Sequence, residues 1–309
     1  MKTKIIVLLL SLFWNLSCSQ NTTNYQEIRK EIETAVPVPP EKQPVYYAPV
    51  YSSNCRWEVR VNDVLLWNFA AKIGDITNVD IPLNFNILNT GKQKIQIKIF
   101  PLEGSEKLGE YATFRIRGEH YPDKRNLEKY NSFLSFELPR EQTKDLPYFE
   151  KTFEFDAQVP YQLVGWTKSK DLSKVPDLEQ KVLKKLNELK AGIEKYDDAL
   201  YLNAIKKRET EKYICFYATK KAIEEDVEES LFKNFFDDSY DIKFLPIKNY
   251  QLILQGNNRV VELRMQGKQL DPWGVPFTGK YKDDHSEYEG SFDFRFHIPE
   301  GSEELEVIR

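Results

Sequence analysis

Histidine most readily supplies a base or a metal ligand near neutral pH, and this chain has three. His120 lies in Gly118-Glu119-His120-Tyr121-Pro122, which the sequence predicts as a loop, and it is a candidate binding residue. His285 lies among Asp283, Asp284, Ser286 and Glu287. Such a group could surround a cation, but it lacks the glycine and spacing of a calcium loop, so a solvated acidic turn is favoured. His297 falls on the last expected strand. The run Glu224-Glu225-Asp226-Val227-Glu228-Glu229 could face a cation or a basic partner. Its simpler account is a helix start, where the macrodipole favours negative charge. Asp271-Pro272-Trp273-Gly274-Val275-Pro276 is a stiff loop presenting a large aromatic ring. Trp is enriched at binding hot spots, so Asp271 and Trp273 join His120 as binding candidates. The alternative is a Trp273 folded back to anchor its own loop.

Nucleophilic chemistry finds no support. The G-x-S-x-G turn of a serine hydrolase is absent, and the glycines are scattered singly rather than gathered into a phosphate cradle. No Cys-x-x-Cys pair or Cys/His cluster occurs, so neither a structural metal nor a cofactor is expected. No catalytic residue can be named. Cys55 and Cys215 fall in different predicted domains and are expected to be buried free thiols; a disulfide between them is the other possibility.

The third cysteine, Cys18, has a different setting. Lys2 and Lys4 precede an apolar run, Ile5 to Leu10 and Leu12 to Trp14, that ends at Asn15-Leu16-Ser17-Cys18. A basic start, a short apolar core and a small-residue cleavage site make a secretory signal over residues 1–17. The run is too short to span a bilayer, which takes roughly 20 residues. Leu16-Ser17-Cys18 resembles the lipobox of bacterial lipoproteins. That resemblance implies acylation of Cys18 as the mature first residue, a membrane partner through the lipid, and a place in the cell envelope on the periplasmic face or cell surface. It departs from the family at Asn15, where Leu is usual. Cleavage near Ser17 without acylation is the alternative.

Composition bounds the partners. The formal charge is −4, and loss of Lys2 and Lys4 with the signal would take it to −6. No basic stripe stands clear of compensating Asp and Glu, so nucleic acid is not an expected partner. A mature chain of roughly 290 residues exceeds one ordinary core, and two domains are expected.

Residues 18–50 read as a tether in which Gln26 to Thr34 could form a short helical turn, because Pro37, Pro39, Pro40, Pro44 and Pro49 favour an extended, semi-rigid chain. A strap packed along the first domain is the alternative for its second half. Residues 51–167 read as an all-β antiparallel sandwich. Cys55, Trp57, Val59 and Val61 alternate with Arg56, Glu58, Arg60 and Asn62, and Asn62-Asp63 turns the chain into Val64–Phe69. Further strands are expected at 95–99, 112–116, 133–138, 153–155 and 161–166. Val61-Asn62-Asp63 followed by Leu88, Gly91 and Ile95-Gln96-Ile97 resembles the galactose-binding-like jelly-roll sandwich over about 50 residues. The resemblance implies the fold and says little about carbohydrate. It departs at Asp63 and Gln93, where that family usually has Gly and Asn.

Residues 168–309 read as an α+β domain, helices packed on an antiparallel sheet. Leu178, Val182, Leu186, Leu189 and Ile193 recur at helical spacing, and helices are expected again over 199–221 and 223–236. Strands are expected at 240–245, 250–254, 260–265 and 292–296, with Gly256-Asn257-Asn258 as a hairpin turn. This element order resembles the cystatin or nuclear-transport-factor-2 cone.

Two functions are compatible with this sequence. One is a non-enzymatic envelope lipoprotein that binds an unknown protein or surface polymer, with a toxin-shielding immunity protein as a subset. The other is a surface-glycan hydrolase using two carboxylates. The absence of a catalytic motif favours binding.

Overall fold

The computed structural model describes residues 25–265 and 274–309. Cys18, Asp271 and Trp273 lie outside the described residues. The fold is β-rich: the described residues form antiparallel sheets, accompanied by helices.

Two four-stranded sheets enclose the first apolar core. One has the order β4 (Ile76–Pro82), β1 (Val45–Ser53), β6 (Thr113–Tyr121), β7 (Asn131–Glu137). The other runs β3 (Val64–Phe69), β2 (Arg56–Val61), β5 (Gly91–Phe100), β8 (Phe149–Ala157). Period-two alternation builds both, because one face of each strand must leave water. Val59, Val61, Ile95, Ile97 and Ile99 from one sheet meet Val50, Phe114 and Ile116 from the other. The β2–β3 hairpin turns at Asn62 and Asp63, both with positive φ, the conformation a two-residue turn of this kind requires.

Helices α3 (Leu178–Ile193), α4 (Asp198–Cys215), α5 (Lys220–Glu229) and the short α6 (Phe232–Phe235) follow. The expected helix over 199–221 ends earlier, at Cys215. Tyr217 takes a left-handed φ of 54°, and Thr219 caps α5 by accepting from the Ala222 amide. The later strands form β9 (Ser239–Phe244), β12 (Val275–Tyr281) and β13 (Glu287–Phe292) in one sheet. The other contains β10 (Tyr250–Gln255), β11 (Val260–Met265), β14 (Arg295–His297) and β15 (Glu306–Ile308). The expected strand 292–296 is thus two strands in different sheets. Residues 161–166 are not a strand; Gly165 turns there with φ 49° and lets Leu88 approach closely.

The expected tether is corrected. Residues 25–35 form a helix, α1, whose Tyr25, Ile28 and Ile32, with Val36 just beyond it, are buried in the same apolar cluster as α3 to α6 and the last two sheets. The spacing i, i+3, i+7, i+11 is that of an amphipathic face, and its apolar side needs a core. Residues 37–44 then cross as a pinned strap: the Pro44 carbonyl accepts from Tyr217 Oη at 2.8 Å and Asn84 Nδ2 at 3.2 Å. Residues 45–53 are β1, an inner strand rather than linker.

A third cluster, Val64, Leu88, Leu163, Trp166, Cys215, Val260 and Ile308, draws on both parts of the chain. Among the described residues no helix is long and apolar enough to cross a membrane.

Candidate functional site

His120 stands near the end of β6, opposite Tyr46 of β1. The two rings stack with centroids 4.5 Å apart and planes 14° from parallel. Tyr46 is itself fixed: its amide donates to Asn84 Oδ1 at 2.7 Å, and its hydroxyl accepts from the Gln158 amide at 2.7 Å. The β6–β7 register shifts between Gly118 and Glu119. Such a bulge re-aims the side chains beyond it. Gly118 is required there, since a Cβ would lie 2.4 Å from the Phe133 ring.

His120 lines an open cleft of about 520 Å³ with Lys42, Pro44, Thr90, Pro122, Gln158, Val159 and Pro160. Its walls come from the strap, the turn before β5, the β6 exit and the segment after β8. Thr90 Oγ accepts from the Val159 amide at 2.9 Å and donates to the Val159 carbonyl at 3.0 Å, joining two of these walls. His120 Nε2 is buried with no hydrogen-bond partner. Burial also lowers the His120 pKa, which keeps the imidazole neutral near pH 7.

A second concavity, of about 610 Å³, lies on the sheet around Pro49, Tyr51, Asn78, Arg115, Ser135 and Glu137. Arg115 sits over the Tyr51 ring, 5.0 Å from its centroid. Arg115 and Glu137 approach to only 3.8 Å and are both exposed.

The other candidates are placed elsewhere. His285 is exposed, and its Nδ1 shares a hydrogen bond with Tyr240 Oη at 2.8 Å. His297 is buried between Ser169 Oγ, 2.7 Å from Nδ1, and Lys207 Nζ, 3.2 Å from Nε2. The three histidines are therefore not brought together. Among the described residues no group of three or more His, Cys, Asp or Glu is arranged to hold a metal ion. The acidic run does not sit at a helix start, as the macrodipole account required. It occupies the later turns of α5, where cations from neighbouring turns and helices hold it. Glu224 pairs with Arg29 at 3.3 Å, Asp226 with Lys212 at 2.9 Å and Glu228 with Lys233 at 2.8 Å. Cys55 and Cys215 are buried free thiols, raised by burial to about 12 and about 11, far from a reactive thiolate.

Sequence reasoning reached His120 but missed Lys42, Thr90 and Gln158. A usable signal was present: Pro44, Pro122 and Pro160 each stand beside one of the stretches that meet at the cleft. No protein-family model, curated protein or solved structure matches this chain.

Proposed function

We propose that this chain is a lipid-anchored envelope protein that binds a ligand in the His120 cleft and does no chemistry on it. In this reading an antiparallel sandwich, residues 51–167, is followed by an α+β domain, residues 168–309, which also recruits α1. Separate apolar clusters on either side of the junction support that division. Anchorage rests on the leader and Cys18. The observation that supports the binding function is the sizeable open cleft itself, lined by Lys42, His120, Thr90 and Gln158 among prolines. Clefts of 300–1,000 Å³ with a few placed polar groups are the usual form of ligand sites. The glycan-hydrolase alternative needs two carboxylates about 5–10 Å apart across a cleft. The described lining of the His120 cleft has none, and that of the Arg115 concavity has Glu137 alone.

A photo-crosslinking experiment in intact cells tests both parts. Gln158→p-benzoylphenylalanine places the probe in the cleft, and the same change at the exposed Lys129 is the control. The expected result is an adduct at 158 and not at 129, recovered with membranes. Adding Cys18→Ser should move the adduct to the soluble fraction. No adduct specific to 158 overturns the binding site, and a membrane-bound Cys18→Ser protein overturns the anchor.

A further inference from the structure

The polar groups around the His120 cleft are one-sided. Lys42 brings an ammonium and Gln158 an amide, while the described lining offers no carboxylate. Lys42 has no ion-pair partner among the described residues, unlike Lys92, Lys94 and Lys98, which reach Glu154 or Glu150. The acids nearest in sequence to the cleft-lining residues His120 and Pro122 are already engaged. Glu119 is held by Arg117 at 3.2 Å and by Tyr121 Oη at 2.8 Å. Asp123 receives Arg125 Nε at 2.8 Å. The remaining lining, Pro44, Pro122, Val159 and Pro160, is apolar and stiff. A site that supplies a cation and donors against apolar walls complements an acceptor-bearing anion on an apolar body.

We infer that the ligand of the His120 cleft is an organic carboxylate, its head group facing Lys42 and Gln158 and its apolar body lying against the proline walls. This rests on the cleft being the binding site. Stacking on Tyr46 holds the His120 ring in the cleft wall, where it reports on an occupant. Lys42 supplies the charge that distinguishes a carboxylate from its neutral amide.

The test uses the full chain carrying Cys18→Ser and follows the three imidazoles by carbon-detected NMR during titration with benzoate, benzamide and inorganic phosphate. Benzoate is expected to give a saturable shift of His120 that leaves His285 and His297 unmoved. Benzamide, with the same ring and no charge, should bind about 10-fold more weakly, and phosphate, with charge and no ring, should also be weaker than benzoate. Lys42→Met should weaken benzoate about 10-fold and leave benzamide unchanged. Benzamide equal to benzoate, phosphate tighter than benzoate, or indifference to Lys42→Met overturns the carboxylate assignment and keeps the cleft. No response of His120 to any probe, with the Gln158 adduct present, also overturns the assignment. No response together with no adduct overturns the site itself.

Discussion

His297 is the histidine whose protonation the fold opposes most. Burial, reinforced by the ammonium of Lys207, lowers its pKa to about 3. Glu306 Oε2 lies 3.7 Å from Nε2 but is half-exposed and does not offset this. As pH falls through about 6.5 the unfolded chain takes up a proton that the folded chain refuses. The stability held by the neutral ring is therefore complete above about 6.5 and drains away as pH falls toward about 3. Between pH 7.5 and 5.0 the loss from this one group is about 2 kcal/mol. His297→Asn keeps a donor and an acceptor and does not titrate. Urea unfolding at the two pH values should show the variant losing about 2 kcal/mol less than the wild type; equal losses would show that His297 is not the responsible group. His120 illustrates what was legible at this scale. Its neighbours in sequence marked it as a candidate, but Lys42, Thr90 and Gln158 lie 78, 30 and 38 positions away in the chain. Only the pairing of β1 with β6, and the docking of Val159 on Thr90, brings them together.

At the scale of elements, α1 decides whether the stretch before β1 is free or docked. Ile32 is fully buried among residues of α3 to α6 and the later sheets, whereas Val38, six residues on in the strap, is 83% exposed. Ile32→Ala should cost about 3 kcal/mol through lost burial and a residual cavity. Val38→Ala should change stability by less than about 0.5 kcal/mol. Denaturant midpoints check the pair; an indifferent Ile32→Ala would restore the free-tether account. Strands with clean alternation, such as β2 and β5, were legible because one face of each is buried. β1 was not, because Pro49 argues against an inner strand. The structure accommodates it by interrupting the β1–β6 ladder between Tyr47↔Glu119 and Val50↔Ile116. β4 was hidden because Ile76, Asn78 and Asp80 all face outward on an edge, so its pattern lacks a polar side. The break between α4 and α5 was expected near residue 222 and falls earlier, after Cys215, because the apolar helical period runs on through a turn made by Tyr217.

At the scale of the whole molecule, the two parts meet through buried polar groups as well as apolar ones. Gln255, on β10, is fully buried. Its Oε1 accepts from the Leu65 amide of β3 at 2.7 Å, and its Nε2 donates to Glu262 Oε2 at 2.6 Å. Glu262 also accepts from Arg264 Nε at 2.7 Å and Arg295 Nε at 3.1 Å, and Arg264 Nη1 reaches Glu58 on β2 at 3.2 Å. Burial alone would raise the Glu262 pKa, but Arg295 and Arg264 outweigh it and hold the carboxyl below its ordinary range. The turn after β10 adds a backbone link, since the Gly256 amide donates to the Asp63 carbonyl at 3.2 Å. Breaking a buried network is far more costly than never having built one, because each abandoned partner stays desolvated. Gln255→Leu preserves volume, strands the Leu65 N–H and leaves Glu262 Oε2 with Arg295 as its remaining donor. It should therefore cost about 2–4 kcal/mol, more than its buried area suggests. The loss belongs to both parts at once. The wild type should unfold in a single calorimetric transition whose van't Hoff and calorimetric enthalpies agree. In Gln255→Leu, hydrogen exchange should speed up in the β2–β3 and the β10–β11 hairpins together. Two resolved transitions in the wild type, or faster exchange confined to one hairpin in the variant, would show that the network seals an interface without coupling what lies on either side of it.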